Sequence, residues 1–207
     1  MVSKAQIVTF LRTNPYINKV NFDFRGFYVY PSAYQVDVAD AIDSGEIEIC
    51  ASTALGGAGA EYDFAHDSLN VDPATFDPVK NLRDQAYLVH EATHAHQDIK
   101  HLGSRPGDEI EAIAYLAEAV FLAAQGAAPM VGSGPVPGSV PLCRAESHRV
   151  AGALLSGTYT VPAAEVTALL KAVNGTPGAV PLKIYISNGF DRDLTHRLTR
   201  HLGTRIR

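Results

Sequence analysis

The sequence predicts an α+β fold, in which a small mixed or antiparallel sheet packs on a long helix and an antiparallel return helix, followed by a mostly helical C-terminal part. Three observations predict it. Short alternating apolar stretches end at about Val71; two long helical patterns follow between about Asp77 and Gln125; and beyond a Gly/Pro-rich stretch the remaining pattern is almost all helical. At 207 residues and 46% hydrophobic content the chain can bury a substantial core. The expected division is residues 1–125, a connector over 126–141 (GAAPMVGSGPVPGSVP) and a C-terminal part over 142–207.

Each element has a local reason. Ser3 followed by Gln6 has capping-box spacing, and Ile7, Val8, Phe10 and Leu11 make a short amphipathic helix that ends before Pro15. Val20, Phe22 and Phe24 alternate with polar residues, Arg25-Gly26 allows a turn, and Phe27 to Tyr30 returns, so a hairpin is expected. Ser32 and Gln35 repeat the capping-box spacing before a helix to about Asp43, with Gly45 as its stop. Glu46 to Cys50 reads as a strand, residues 54–60 as a Gly-rich loop, and Glu61 to Val71 as an extended segment broken near His66-Asp67.

Asp77-Pro78 supplies an N-cap and a first-turn proline for a helix to about His101, in which Leu82, Ala86, Val89 and Thr93 form a core stripe. An alanine-rich helix over about Glu109 to Gln125 follows. Beyond the connector, Arg144 to Leu155 and Ala163 to Val173 read as helices, Lys183 to Ser187 as a short strand, and Asp191 to Leu202 as a basic amphipathic helix with an ordinary leucine stripe.

The charge balance, 17 basic against 22 acidic residues and a net −5, offers no general attraction to nucleic acid or to an anionic membrane. No apolar run reaches the ~18 residues of a membrane span, and the first residues lack an apolar signal core. The expectation is a cytoplasmic protein, with export by a signal-independent route left open. Cys50 and Cys143 are too few for a disulfide framework and read as two buried thiols, with a lone disulfide as the alternative.

The chemistry is concentrated in His90-Glu91-Ala92-Thr93-His94. On a helix the i, i+4 spacing puts both imidazoles on one face, where they reach a single Zn²⁺, and Glu91 projects beside them as a base for a water molecule. The pattern arises by chance in roughly one such chain in a hundred, so its surroundings must support it. A catalytic zinc needs a third protein ligand. If the chain turns after His101, the cluster Asp108-Glu109-x-Glu111 comes back toward the metal at about the right height. Glu111 fits that height better and shares a half-polar stripe with Ala114, Tyr115 and Glu118; Glu109 is the alternative third ligand, and an Asp108-x-x-Glu111 helix cap competes with both.

The run from His90 to Asp98, followed by Glu111-Ala112-Ile113-Ala114, resembles the gluzincin branch of the zincin-type zinc metallopeptidases, the thermolysin-like proteins. The resemblance covers about residues 85–120. It implies a zincin-like fold, zinc held by His90, His94 and Glu111, and Glu91 as general base. It also makes Asp98 a candidate orienter of a ligand histidine, while Tyr115 stands where that family carries an Asp. A metzincin triad is not available, because Lys100 stands six residues after His94. His96 reads as a surface or capping imidazole, and His148 and Tyr115 as minor candidates for a cleft wall. The resemblance further implies an edge strand that pairs with substrate backbone, for which Glu61 to Val71 is the nominee.

The function expected is therefore zinc-dependent amide hydrolysis of a peptide or protein substrate. The alternatives are a non-catalytic interaction protein on a zincin-like scaffold and a zinc amidase acting on a non-peptide substrate.

Overall fold

The structure, a computed structural model, describes residues 2–55, 59–101, 105–132 and 140–175. Helix α1 spans Lys4–Thr13 and starts with the expected capping box: Ser3 Oγ accepts from the Gln6 amide while Gln6 Oε1 accepts from the Ser3 amide. Strands β1 (Phe22–Phe24) and β2 (Phe27–Val29) pair antiparallel through a two-residue turn. Arg25 and Gly26 both take positive φ, 52° and 82°, which gives the turn the twist that a tight hairpin needs.

The next helix departs from expectation. Ala33–Val38 is a π-helical stretch that runs into α2 (Ala39–Ser44), and Ser32 makes no side-chain cap. Gln35 instead donates to Asn18 Oδ1, and the widened turn accompanies a buried Tyr34 whose hydroxyl meets Thr93 Oγ1 at 2.8 Å. Gly45, with φ 82°, closes α2 as expected.

Strands β3 (Glu48–Ala51), β4 (Ala60–Asp63) and β5 (Ser68–Val71) form a mixed sheet in the order β3-β5-β4, with β3 parallel and β4 antiparallel to β5. The extended run after the Gly-rich loop is thus a hairpin, broken where Asp67 takes φ 48°, and β4 lies on the sheet's outer edge against the next helix.

That helix, α3, spans Leu82–Ile99 and begins four residues later than the Asp77-Pro78 reading. Asn81 is the N-cap, its Oδ1 accepting from the Arg83 amide, while Asp77 caps a separate turn by receiving the Lys80 and Asn81 amides on its carbonyl. Ala86, Val89 and Thr93 are buried as expected, but Leu82 is partly exposed and the opposite faces of α3 are buried as well. Helix α4 (Gly107–Ala124) returns antiparallel, as its contacts with α3 descend from Gln97 through His94 to His90 while they climb from Ile110 through Glu111 to Glu118. It is the most apolar helix and is buried from Ile110 to Leu122 on almost every face.

Helices α5 (Leu142–Leu155) and α6 (Ala163–Gly175) cover α4. Cys143, Val150, Ala151, Leu154, Val166 and Leu169 belong to the same apolar cluster as α1, the sheet and α3. Between them the chain joins the N-terminal hairpin: the Asp23 amide donates to Tyr159 O and the Val161 amide to Asp23 O. Cys50 and Cys143 are both free thiols, Cys143 buried and Cys50 half-buried. Among the described residues no helix is long and apolar enough to cross a membrane. The strand expected at 183–187 and the basic helix at 191–202 lie outside the described residues.

Candidate metal centre

His90 and His94 sit one turn apart in the middle of α3, and their Nε2 atoms are 3.2 Å from each other. Across the helix interface, Glu111 of α4 places Oε2 3.5 Å from His90 Nε2 and Oε1 3.7 Å from His94 Nε2. One donor atom from each of the three residues lies within 4.8 Å of the others. Three donors this close to one another could hold one cation, and two imidazoles with a carboxylate are a donor set that metal sites use.

Glu109 is elsewhere. Its carboxylate is held by Arg25 of the β1–β2 turn and by Arg105 at the start of α4, an ion-pair pin between hairpin and helix. The cap reading of Asp108 and Glu111 also fails, because α4 starts at Gly107 with Pro106 as N-cap and Asp108 is already in the first turn. Asp108 Oδ2 accepts from Asn174 of α6.

Each of the two histidines has a polar side chain beside its far nitrogen. His94 Nδ1 is 2.9 Å from Gln97 Oε1, and the Gln97 amide nitrogen donates to Ile110 O at 3.0 Å. Because Gln97 spends its donor on that carbonyl, its oxygen faces the ring as an acceptor, and the proton on His94 belongs to Nδ1. Nε2 is left with its lone pair toward Glu111. His90 Nδ1 is 3.4 Å from Glu118 Oε2, and Arg144 of α5 grips both oxygens of Glu118, with Nε–Oε1 at 2.7 Å. The ring of Tyr115 packs edge-on against His90, centroids 4.7 Å apart, and Arg144 lies over it. Asp98 is buried and accepts from the Tyr62 hydroxyl at 2.9 Å; Gln97, one residue earlier, is the acceptor at His94.

Glu91 points to the sheet side of α3, where Oε2 accepts the Tyr62 amide of β4 at 2.8 Å. A very small apolar cavity lined by Val38, Ile42, Tyr62 and Ala92 adjoins it. Burial pushes the Glu91 carboxyl up to about 7, against the pull of His90 and of the Tyr62 amide. Burial drives His94 down to about 4, so its ring is neutral. On His90, burial works against the charge, but the Glu111 and Glu118 carboxylates outweigh it and raise the ring to about 10. Glu118 is buried too, and the Arg144 guanidinium nevertheless holds it below the usual carboxylate range.

The remaining candidates fall outside this group. His96 is fully buried rather than exposed, packed between a tilted Phe27 ring and an edge-on Tyr30 ring with Nε2 3.3 Å from Tyr28 O. His66 pairs with Asp63 on the surface. His148 lies one turn beyond Arg144 on α5 and makes no ion pair with the centre, its buried Nδ1 without a hydrogen-bond partner among the described residues.

Gln97, Glu118 and Arg144 join the cluster beyond the residues that the motif pattern points to. Only Glu118 carried a usable signal: it shares the i, i+7 stripe of Glu111 and Tyr115, the face that meets His90. No protein-family model, curated protein or solved structure matches the chain.

Proposed function

We propose that the chain is a zinc-dependent hydrolase, with His90, His94 and Glu111 as the metal ligands and Glu91 as the general base of amide hydrolysis. The observation that carries this reading is the convergence of His90 Nε2, His94 Nε2 and one Glu111 oxygen within 4.8 Å, next to a carboxyl raised to about 7. His90, His94 and Glu111 would hold Zn²⁺, which would supply Lewis acidity toward a scissile carbonyl and a water molecule. Glu91 takes the water proton and delivers it to the leaving amine. The Tyr62 amide fixes one Glu91 oxygen and leaves the other for the proton, so the base is oriented by the sheet. A peptide substrate would pair by strand addition along the rest of the outer edge of β4, beyond the Tyr62 amide that Glu91 occupies.

A second reading has its own support. The Glu91–Tyr62 hydrogen bond also serves as a plain structural pin between helix and sheet, which suits a non-catalytic interaction protein on the same scaffold. Glu91→Gln separates the two, because glutamine keeps an oxygen for the Tyr62 amide but cannot act as a base. Zinc-loaded wild-type protein is expected to cleave members of a peptide library while the variant binds one zinc per chain and cleaves none. Undiminished cleavage by the variant, or none by the wild type against peptide and non-peptide amides alike, would overturn the hydrolase assignment.

A further inference from the structure

We propose that Glu118 and Arg144 are positioning residues of the metal centre: Arg144, from α5, locks the Glu118 carboxylate against His90 Nδ1 and thereby presents His90 Nε2 to the ion. This inference rests on the metal-centre reading above and adds a partner helix to it.

The geometry is a grip on one imidazole. Glu111, Tyr115 and Glu118 occupy one face of α4 at i, i+4 and i+7. They meet His90 at Nε2, at the ring face and at Nδ1, at 3.5 Å, 4.7 Å between centroids and 3.4 Å. The buried Nδ1 makes no aligned hydrogen bond, and the Glu118 oxygen is the acceptor beside it. A metal-bound imidazole keeps one proton only, so the group that sits at Nδ1 decides whether Nε2 is the nitrogen that gives up its proton to the ion. A carboxylate clamped on both oxygens by a guanidinium has no proton to donate. It is the group placed to accept from Nδ1–H, which would leave Nε2 as the metal-binding atom.

Arg144 is built for the clamp. Its side chain is 11% exposed and that of Glu118 2%, so neither charge has water to rely on. The guanidinium also lies over the rings of Tyr87 and Tyr115, 5.3 and 5.4 Å from their centroids, which restricts it to the bidentate pose. A lysine would keep the charge and lose the two-oxygen grip.

The test is metal affinity measured by competition with a chromophoric chelator, together with the visible spectrum of the Co²⁺-loaded protein. Wild-type protein is compared with Glu118→Gln, Arg144→Lys and the double variant Glu118→Gln/Arg144→Met. Glu118→Gln is expected to weaken Zn²⁺ binding about 10- to 100-fold, the usual effect of losing such a partner, and to alter the Co²⁺ bands. Arg144→Lys is expected to fall between it and wild type.

The double variant removes the unpaired buried charge and so separates folding from positioning. Recovery of metal-free thermal stability with affinity still reduced supports the proposal; recovery of both overturns it, as does Glu118→Gln with wild-type affinity and an unchanged Co²⁺ spectrum. A wild-type protein that binds no equivalent of Zn²⁺ or Co²⁺ overturns the metal centre itself.

Discussion

At the scale of single residues the contrast between Glu111 and Glu109 is the clearest. Both are acidic, two positions apart on α4, yet one faces two imidazoles and the other two guanidinium groups. Glu111→Ala is expected to lose zinc on dialysis, whereas Glu109→Ala keeps one equivalent and costs about 1 kcal/mol for a partly exposed ion pair; elemental analysis and urea unfolding read the two effects. Height along the helix and stripe polarity favoured Glu111 in the sequence, but Arg25, which claims Glu109 together with Arg105 four residues before it, comes from the distant β1–β2 turn and was illegible there. His96 shows the same limit: its burial depends on the aromatic rings of the hairpin, which no local pattern links to it. That burial makes a pH prediction. Burial, aided by Lys100 and opposed by Tyr28 O and Asp37, holds the folded pKa at about 4 against the ordinary 6.5. Between those values the unfolded chain binds the proton and the folded chain does not, so stability falls as pH drops through this window, by about 3 kcal/mol for this group. His96→Phe is expected to show a stability loss between pH 7 and pH 4 smaller than that of wild type by about this amount. Identical acid limbs in urea titrations of the two proteins would count against it.

At the scale of elements, capping chemistry was legible where the cap is local and misleading where a distant partner competes. Ser3-Gln6 closes on itself, but Gln35 of the matching Ser32 pair is drawn to Asn18 and the turn widens around Tyr34. Asp77-Pro78 has the right residue types for a helix start, yet Asp84 receives the Asp77 amide and ties the segment into a separate turn. Asn81 is then the residue that starts α3, and Asn81→Ala is expected to lower stability by about 1 kcal/mol in thermal or urea unfolding. The motif helix and its antiparallel return were thus readable from periodicity and Gly/Pro punctuation, with the boundary displaced by four residues. In the hairpin, Gly26 sits at φ 82°, so Gly26→Ala is expected to cost about 1 kcal/mol through backbone strain alone, with no steric neighbour to blame.

At the scale of the whole molecule the sequence pattern suggested a C-terminal part set off by the connector over 126–141. Its physical basis is sound, since Gly and Pro do punctuate that stretch, but composition says nothing about which surface a later helix covers. Helix α4 carries Ile113, Leu116, Ala117, Val120 and Phe121 at under 2% exposure, and such an all-round apolar helix requires cover on both sides. Helix α3 supplies one side; α5 supplies the other and brings the guanidinium that neutralises Glu118. Strand β1 in turn bonds to the segment between α5 and α6, so the N-terminal hairpin is stitched to the C-terminal helices. A chain ended before Pro141 should therefore expose the apolar flank of α4 and strip Glu118 of its guanidinium partner, a loss that typically costs about 3–5 kcal/mol for a buried pair. Set against a typical domain stability of about 5–15 kcal/mol, that loss together with the exposed flank is enough to abolish cooperative folding. The truncated chain is expected to aggregate or to melt without a sigmoidal transition in far-UV circular dichroism, and to bind no stoichiometric zinc. A monomeric fragment that melts cooperatively and holds one zinc would show that the helices after the connector are dispensable to the centre.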